Sequence, residues 1–328
     1  MIKQQMKLFL ASKPKLKTTA FIATDLWKGL QMTLGKIDTK SGMAHANYST
    51  KESIKYIEEV FNDYKKYGEF EQFYGVAAEI GPGDNAGVAL LMRQDGCQQV
   101  DLIDRYYSRR NREQQNKIYD SLGHKYKLDN LKTQDFWDET KIAGINWKIG
   151  QSAEDYFRKC AQEKKQIYDF IVSRAVLEHL YNPLDALQDM VTCLKPKGRM
   201  LHKIDFRDHG MFTPENQELT FLEIPSFFYP LMVRNSGRPN RILIHRYREV
   251  LERLKKQGLI DYSILVTHLV DAGEISPHTT FDNIDLKKQN KAINFVEKYK
   301  HKLATEFIDL DSQDLAVSGV FLKVVKLI

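Results

Sequence analysis

Glu79-Ile80-Gly81-Pro82-Gly83-Asp84 is the stretch that decides the fold of this 328-residue chain. The apolar segment Gly75 to Ile80 leading into it predicts a short strand, and Ala86 to Met92 after it predicts a helix. Because glycine has no Cβ, Gly81 and Gly83 let a ligand lie close to the backbone of the turn. The stretch therefore predicts a strand–turn–helix unit with a ligand at its turn.

An acidic residue ends the next predicted strand, Val100 to Asp104. Asp104 lies about 20 residues after the turn, where a carboxylate can accept both hydroxyl hydrogens of an adenosine ribose. The turn and this carboxylate together predict an adenosine-containing cofactor. They leave two cofactors open, because Gly81-x-Gly83-x-x-Ala86 also satisfies the dinucleotide fingerprint.

Three observations favour S-adenosylmethionine over a dinucleotide. Glu79 stands where dinucleotide folds usually have an apolar residue, and an acid there can serve the cofactor's ammonium group. Asp84 adds negative charge beside the turn, which would repel a pyrophosphate but not a zwitterion that carries a sulfonium. The chain also ends in two predicted sheet-edge strands, Tyr262 to Val270 and Ala316 to Leu327, instead of a second nucleotide-binding half.

The rest of the chain alternates strands and helices. The other predicted strands are Ile145 to Ile149, Tyr168 to Ser173 and Arg199 to Ile204, and the other predicted helices lie at about 50–67, 183–194, 247–256 and 281–305. This order predicts an α/β fold, a Rossmann-like mostly parallel sheet with helices on both faces and antiparallel edge strands at the C-terminal end.

The motifs, in this order, resemble those of the class I S-adenosylmethionine-dependent methyltransferases. The resemblance is carried by the glycine turn, the strand ending at Asp104, Gly150-Gln151-Ser152-Ala153-Glu154, and Tyr168 to Leu180. It covers about residues 70–205 well and the tail loosely. It implies a Rossmann-like methyltransferase with S-adenosylmethionine as cofactor. The glycine turn and the segment Asp205 to His209 also look similar to those of polysaccharide-cluster methyltransferases.

The resemblance implies positions for the methionine end of the cofactor. Gly81 and Gly83 would line the methionine part, and Glu79 would serve its amino group. Asn85 departs from the family pattern, since many members have a third glycine there, so the turn is expected to be tighter or differently angled.

It also implies positions for the other parts of the cofactor. Asp104 would hold the ribose, and Ala153 and Glu154 would lie beside the adenine. Ser173 would run past the cofactor near the methyl group. The domain organisation expected from the resemblance is an N-terminal helical cover over 1–70 and an S-adenosylmethionine-binding methyltransferase domain over 71–328, with a lid insertion at about 210–245.

The residues after the fourth predicted strand narrow the methyl acceptor. Ser173-Arg174-Ala175-Val176 lacks the Asn/Asp-Pro-Pro-aromatic loop that enzymes methylating base amino groups share, and Cys193 lies too far along to serve as a pyrimidine-methylating nucleophile. An oxygen on a small polar molecule or glycan is the acceptor class that remains. The candidate catalytic groups are His209 with its neighbour Asp208, because active sites lie beyond the carboxyl ends of parallel strands, and His179.

An unusual stretch rich in aromatics and arginine follows. Phe221 to Tyr229 precedes Arg234, Arg238 and Arg241. The arginines would make a lid with a cationic rim for an acidic or phosphorylated acceptor, or they pair with acidic residues of the same fold. The sequence leaves both interpretations open.

Composition excludes several other classes. The formal net charge of +6, from 49 basic and 43 acidic residues, does not demand nucleic acid as a partner. No apolar run approaches the roughly 18 residues of a membrane span, so a cytoplasmic location is expected. Three scattered cysteines favour buried free thiols over a disulfide framework, and no metal site is predicted. The oligomeric state is left open.

Three rival functions remain at this stage. They are a non-catalytic cofactor-binding subunit, an RNA methyltransferase and, more distantly, a dinucleotide oxidoreductase.

Overall fold

An eight-stranded mixed sheet organises the residues that this computed structural model describes, which are 14–36, 38–39, 42–128, 141–212 and 218–328. Within these ranges the strands are β1 (Asp38–Thr39), β2 (Gly75–Ile80), β3 (Cys97–Asp104), β4 (Tyr107–Ser108), β5 (Ile145–Ile149), β6 (Tyr168–Arg174), β7 (Leu194–Asp205), β8 (Ile260–Leu269), β9 (Gly273–Thr279) and β10 (Val317–Lys326). The α-helices are α1 (Pro14–Thr33), α2 (Ala44–Asn47), α3 (Thr50–Gly68), α4 (Gly87–Asp95), α5 (Arg112–Tyr126), α6 (Ala153–Gln162), α7 (Pro183–Cys193), α8 (Tyr229–Val233), α9 (Ile244–Lys256), α10 (Leu286–Tyr299), α11 (Thr305–Ile308) and α12 (Ser312–Ala316). A small parallel pair, β1 with β4, lies apart from the main sheet.

The main sheet has the strand order β5-β3-β2-β6-β7-β10-β8-β9. The five strands from β5 to β7 pair in parallel, whereas β10, β8 and β9 pair antiparallel at the other edge. This arrangement confirms the predicted α/β, Rossmann-like sheet and its antiparallel C-terminal strands. The carboxyl ends of β2, β3 and β6 meet at one edge of the sheet, where parallel α/β folds bind ligands.

Local sequence explains the start of α3. Ser49 precedes the helix, and its hydroxyl accepts a hydrogen bond from the backbone N–H of Glu52 while the Glu52 carboxylate accepts one from the backbone N–H of Ser49. This reciprocal pair is the predicted capping box, and it satisfies backbone donors that a helix start leaves unpaired.

Helices cover both faces of the sheet. One core cluster joins α3, α4 and α5 to the sheet through buried residues such as Ile57, Leu90 and Ile118. The other joins α6, α7, α9 and α10 to the opposite face, with Phe157, Leu187 and Leu251 among its buried members. All three cysteines are buried free thiols, as predicted.

Several elements differ from the sequence predictions. β7 begins at Leu194, five residues before the start of the predicted strand at Arg199 and at the last residue of the helix predicted at about 183–194. The helices α5 and α6 and the edge strand β9 were not anticipated. β9 contains Pro277 and buries only Ile275 and His278, so it lacks the apolar alternation of a recognisable strand.

The N-terminal segment and the predicted lid meet in the structure. The buried carboxylate of Asp25 in α1 accepts hydrogen bonds from the backbone N–H of Asn235 at 3.0 Å and from its side-chain amide at 3.0 Å. Residues 1–13 of the predicted cover and 213–217 of the predicted lid lie outside the described residues. No helix in the described ranges is long and apolar enough to cross a membrane.

Candidate functional site

The glycine turn leaves β2 in a conformation that favours glycine. Gly81 and Gly83 have φ angles of 67° and 69°, in the left-handed region. A Cβ built on Gly81 would lie 2.5 Å from Cγ2 of Val176, and one on Gly83 would lie 2.7 Å from the carbonyl oxygen of Gly42. The turn therefore needs glycine at both positions, for the backbone angle and for the close neighbours.

A cavity with an open volume of about 480 Å³ lies against this turn, at the carboxyl ends of β2, β3 and β6. Five of the predicted site residues line it: Gly81, Asp104, Ala153, Glu154 and His179. The remaining lining residues are Ile80, Ile103, Arg105, Tyr106, Ser152, Val176, Leu180 and Tyr181. The chain thus brings the turn, the end of β3 and the start of α6 to one cavity.

Asp104 presents its carboxylate to this cavity. Its Oδ1 accepts a hydrogen bond from the backbone N–H of Tyr106 at 2.9 Å, and the backbone of Gly83 also faces the carboxylate. Burial raises the pKa of Asp104 to about 6, and these backbone contacts limit the rise. At neutral pH the carboxyl of Asp104 is therefore mostly ionised and can accept hydrogen bonds, and it becomes protonated as the pH falls below its pKa of about 6.

Glu79 lies one residue before the end of β2 and is buried. Within the described part of the chain its Oε2 atom has no hydrogen-bonding partner. Burial raises the pKa of Glu79 to about 8. Glu79 also faces the phenol groups of Tyr56 and Tyr64 on α3. Because this carboxyl is buried and one of its oxygens lacks a partner among the described residues, it is suited to bind a cationic ligand group. Such a group would donate a hydrogen bond to the oxygen and favour the ionised form of the carboxyl.

Ala153 and Glu154 begin α6, which is capped by Ser152, whose hydroxyl accepts a hydrogen bond from the backbone N–H of Asp155. The Oε1 atom of buried Glu154 accepts a hydrogen bond from the backbone N–H of Tyr181 at 2.8 Å. Glu154 thus ties α6 to the segment after β6 and fixes one wall of the cavity.

Three predicted cofactor residues, Glu79, Gly83 and Ser173, do not line this cavity among the described residues. Gly83 packs its backbone against Gly42 and does not line the cavity among the described residues. Ser173 is fully buried, and its hydroxyl is 2.8 Å from Nδ1 of His202, also fully buried. Burial lowers the pKa of His202 to about 3, so this histidine is a neutral core residue.

Asp84 has a structural role at the turn. Its carboxylate accepts hydrogen bonds from the backbone N–H groups of His45 at 3.3 Å and Ala46 at 2.7 Å. These groups belong to α2, so Asp84, which is buried, holds the N-terminal segment against the turn. The repulsion of a pyrophosphate by Asp84 stays a prediction.

The predicted catalytic histidines lie next to each other. The rings of His179 and His209 make an edge-to-face contact with centroids 5.0 Å apart. Nε2 of His209 lies 3.4 Å from Oδ2 of Asp205 and 3.9 Å from Oε1 of Glu178. Burial lowers the pKa of His179 to about 4, so its imidazole is neutral. Two segments, after β6 and after β7, meet at this point.

Asp208 is anchored within its own loop. Its two oxygens accept hydrogen bonds from the backbone N–H groups of Gly210 at 2.8 Å and Phe212 at 3.2 Å. Asp205, not Asp208, is the carboxylate beside His209. Burial tends to raise the pKa of Asp205, but hydrogen bonds from Arg207 and His209 outweigh it and hold the pKa well below its usual range.

A second cavity, with an open volume of about 920 Å³, lies at the carboxyl ends of β6 and β7. Its lining includes both hydrogen-bond donors and acceptors: Glu59, Arg174, Lys203, Asp205, Arg207, Thr267, His268 and Glu274. Two of the cations pair with carboxylates, Arg174 with Asp63 at 2.8 Å and Arg207 with Asp205 at 2.6 Å. The cavity is therefore lined by charged groups of both signs that largely offset one another.

Of the three arginines of the predicted lid, Arg241 pairs with an acidic residue, as in the second of the two interpretations, and Arg238 is held by neutral groups. Arg241 stacks on Tyr229 at 4.2 Å, hydrogen-bonds the carbonyl oxygen of Ile224 and pairs with Glu306 at 3.3 Å. Arg238 stacks on Phe21 at 4.5 Å and donates to the carbonyl oxygen of Met232 at 2.8 Å. These two side chains hold the insertion in place and do not form a cationic rim.

Sequence reasoning missed Glu178 and Asp205 as members of the site. Glu178 stood in the sequence beside His179, and an acid next to a histidine at a strand end was a usable signal. Tyr106 and Tyr181 were missed too, although both line the cavity, because aromatic residues carry no positional signal in the sequence.

Comparison with protein families gives one decisive match. A family model described as a methyltransferase domain matches residues 77–259, which is more than half of the chain. The matched range contains β3, β6 and β7 and most of β2, the strands at whose carboxyl ends the two cavities lie. The chain belongs to the methyltransferase domain family. This membership confirms the predicted S-adenosylmethionine-dependent methyltransferase and S-adenosylmethionine as its cofactor.

Several solved structures are similar to this methyltransferase at low identity. Phosphoethanolamine N-methyltransferase 2 of Haemonchus contortus, in complex with phosphomonomethylethanolamine and S-adenosylhomocysteine, is 16% identical over 88% of this chain and 59% of its own, with a TM-score of 0.40. The plantazolicin methyltransferase BamL is 12% identical over 86% of this chain and 87% of its own, with a TM-score of 0.40. N-methyltransferase NodS of Bradyrhizobium japonicum is 11% identical over 84% of this chain and 86% of its own, with a TM-score of 0.34. The chain thus spans about three fifths of the Haemonchus enzyme's length. A comparison with curated proteins finds no match.

Proposed function

We propose that this methyltransferase moves a methyl group from S-adenosylmethionine to an oxygen of a small polar acceptor, of the sugar or glycan type. The observation that carries the proposal is the position of the two cavities on either side of one short segment. Arg174 and Ala175 line the second cavity, and Val176 lines the first. A donor in the first cavity and an acceptor in the second would meet at this segment.

The residues in and beside the first cavity suit the groups of the cofactor. Glu79 does not line the cavity but precedes Ile80, which does, and it would meet the ammonium group, since one of its buried oxygens has no partner in the described residues. Gly81 would let the methionine part approach the backbone, and Asp104 would accept hydrogen bonds from the ribose. Ala153 and Glu154 would lie beside the adenine. The cofactor, when bound, supplies the methyl group as an electrophile, and the protein has to position the acceptor.

Gly83 and Ser173 act indirectly in this proposal. Gly83 shapes the turn and faces the carboxylate of Asp104 with its backbone. Ser173 supports the strand end beside the methyl group through its contact with His202.

The chemistry of the second cavity supports a hydroxyl-rich acceptor. Hydroxyl groups both donate and accept hydrogen bonds, so they suit a lining that offers acceptors on Glu59, Asp205 and Glu274 and donors on Arg174, Lys203 and Arg207. A strongly anionic acceptor is less well matched, because Arg174 and Arg207 are already paired with carboxylates of the chain.

His209 is the proposed group at which the acceptor hydroxyl is held and loses its proton. It lies between Asp205 and Glu178, and its ring contacts His179, which lines the cofactor cavity. We further propose that the insertion at about 210–245 serves as a lid, together with α1. Its support is the contact of Asn235 with Asp25 and the 3.4 Å contact of its carbonyl oxygen with the hydroxyl of Tyr106.

The test measures S-adenosylhomocysteine formed from S-adenosylmethionine across a panel of sugars, nucleotide sugars, oligosaccharides and RNA. We expect product with a hydroxyl-bearing carbohydrate, and we expect His209→Asn to lower the rate by about 100-fold. Asparagine is chosen because residue 209 has a φ of 52°, which asparagine tolerates. The matched control is His301→Asn, which removes an exposed histidine far along the chain.

Two results would contradict the proposal. Cofactor binding without product from any acceptor would favour a non-catalytic subunit. Product only with RNA, with binding that weakens steeply as salt rises, would favour an RNA methyltransferase.

A further inference from the structure

A cluster of potential metal ligands lies beside the cofactor cavity. Glu178, His179 and His209 each offer one ligand atom, and these atoms all lie within 4.8 Å of one another. Two imidazoles and one carboxylate are a donor set that binds divalent transition-metal ions. A metal ion with bonds of about 2.1 Å needs ligand atoms roughly 3 to 4 Å apart, so small side-chain rotations would close the set.

The state of Glu178 is a second and independent observation. This side chain is 1% exposed. Across the described ranges neither of its oxygens has a hydrogen-bonding partner, although the backbone of Asp205 and its own backbone face it. A buried carboxyl group whose two oxygens are left unsatisfied costs free energy, and a bound cation would satisfy both.

His179 shows the same feature. Its Nδ1 atom is buried and, among the described residues, has no hydrogen-bonding partner. The backbone of Gly237 contacts the imidazole. Metal-bound histidines are usually oriented in this way, with a backbone or carboxylate partner fixing the ring so that a nitrogen is available to the ion.

The nearest positive charge does not oppose a cation strongly. The Arg207 guanidinium donates to Asp205 from Nε at 2.8 Å and from Nη2 at 2.6 Å. This two-point pairing offsets the arginine's charge. Asp205 also lies 3.4 Å from Nε2 of His209, where it can orient that ring.

We infer that Glu178, His179 and His209 form a binding site for one divalent transition-metal ion of the zinc type. Three protein ligands leave at least one coordination position open. The inference deepens the proposed function, on which its catalytic meaning rests: with an ion bound, His209 would act on the acceptor hydroxyl as a ligand of that ion and not as a free base. Its test measures metal binding alone. The metal site can therefore be disproved while the proposed function stands, and the proposed function can be disproved while the metal site stands.

The experiment uses the full chain, stripped of metals with a chelator and desalted. Co²⁺ is titrated while its visible absorption is followed, and Zn²⁺ is then titrated in competition with a chromophoric chelator. The variants are Glu178→Gln, which keeps the shape of the side chain, and His209→Asn. The control is His301→Asn, and thermal denaturation checks the folding of each protein.

We expect wild type to bind one equivalent of Co²⁺ with an absorption spectrum typical of nitrogen and oxygen ligands, and Zn²⁺ to displace it. Both site variants should bind at least about tenfold more weakly, and the control should match wild type. If Glu178→Gln does not fold, the result for His209→Asn decides by itself. Residue 209 lies in a loop, where this substitution is expected to leave the fold intact. The inference is overturned if wild type binds neither ion in a one-to-one complex, or if both folded site variants bind as tightly as the control.

Discussion

The glycine turn and the acid–histidine cluster beside it are built in different ways. The turn is defined by backbone conformation within three residues, where Gly81 and Gly83 adopt left-handed angles and the neighbouring backbone and side chains leave no room for a Cβ. The cluster is defined by side chains from two separate segments, Glu178 and His179 after β6 and Asp205 and His209 at and after the end of β7. A local constraint can be read from a short motif, whereas a cluster of this kind exists only once the sheet has formed.

The largest effect is expected from Gly81→Ala, which changes the glycine turn and leaves the acid–histidine cluster intact. The left-handed φ costs about 1–2 kcal/mol for a residue with a Cβ, and the contact with Val176 adds about 1–3 kcal/mol of overpacking. We expect lower stability and at least a tenfold loss of affinity for S-adenosylhomocysteine, measured by thermal denaturation and calorimetry.

The matched control is Gly258→Ala. Gly258 has a φ of 71°, and its built Cβ meets no atom of the described residues within 4 Å. This variant should lose only the stability that a left-handed φ costs a residue with a Cβ, and its affinity for the cofactor should not change. Equal losses of affinity in both variants would show that the close approach at Gly81 is unimportant.

Arg241→Ala tests the insertion, which, like the acid–histidine cluster, is held by side chains from separate segments. We expect a loss of about 2 kcal/mol in the free energy of unfolding, because a buried stack and several hydrogen bonds are removed together. Affinity for S-adenosylhomocysteine should not change. The control is Arg246→Ala, an exposed arginine paired with Glu249, which should cost less than about 0.5 kcal/mol. Weaker ligand binding with unchanged stability in Arg241→Ala would revive the cationic-rim interpretation.

Asp104→Asn should weaken cofactor binding by more than about 1 kcal/mol, as expected when a charged hydrogen-bond acceptor is lost. The wild-type affinity should also fall as the pH drops through about 6, the pKa to which burial raises Asp104. Stability should move the other way: because the folded pKa lies above the ordinary value, the contribution of Asp104 to stability rises as the pH falls. Calorimetry and denaturation at pH 5 to 8 check both trends, and the exposed Asp185→Asn variant is the control. A flat wild-type affinity across this range would mean that Asp104 does not hold the ribose.

Of the variants expected to bind the cofactor more weakly, Glu79→Gln should lower the affinity least. It should also change the number of protons that are released when the cofactor binds. With a pKa of about 8, the carboxyl of Glu79 is mostly protonated at pH 7 and should release its proton when an ammonium group binds. Calorimetry of S-adenosylmethionine binding in two buffers of different ionisation enthalpy measures this release, which the variant should lose.

The stability of this variant gives a second check. The wild type should become less stable between about pH 4.5 and pH 8, because the unfolded state loses the Glu79 proton first, and the variant should lack this component. Proton release that is equal in both proteins would place the ammonium group elsewhere.

The sequence allowed the local parts of this structure to be predicted. β2, β5, the start of α3 with its capping box and the left-handed glycines follow from short patterns, since each depends on residues close together in the chain. Asp104 reaches the cavity because it ends a strand of a parallel sheet whose topology is itself predictable, whereas Ala153 and Glu154 were placed there by the family resemblance, without α6 being anticipated.

The remaining parts depend on tertiary contacts. The structural role of Asp84 was not predicted, because its partners, the N–H groups of α2, come from a segment with no readable pattern. Asp208 and Asp205 are indistinguishable as acids near a strand end until the loop after β7 folds, where Asp208 accepts from the backbone N–H groups of Gly210 and Phe212 and Asp205 lies beside His209. The lid arginines were ambiguous since a guanidinium serves a ligand or a carbonyl oxygen equally well, and only the fold decides.

The account's central claim is that the bend at Gly81 to Gly83, with Asp104, holds S-adenosylmethionine. The most direct measurement is calorimetric titration of the purified, folded chain with S-adenosylhomocysteine and, separately, with NAD. We predict one S-adenosylhomocysteine bound per chain and no binding of NAD. Binding of NAD in its place, or no binding of either compound, would contradict the claim.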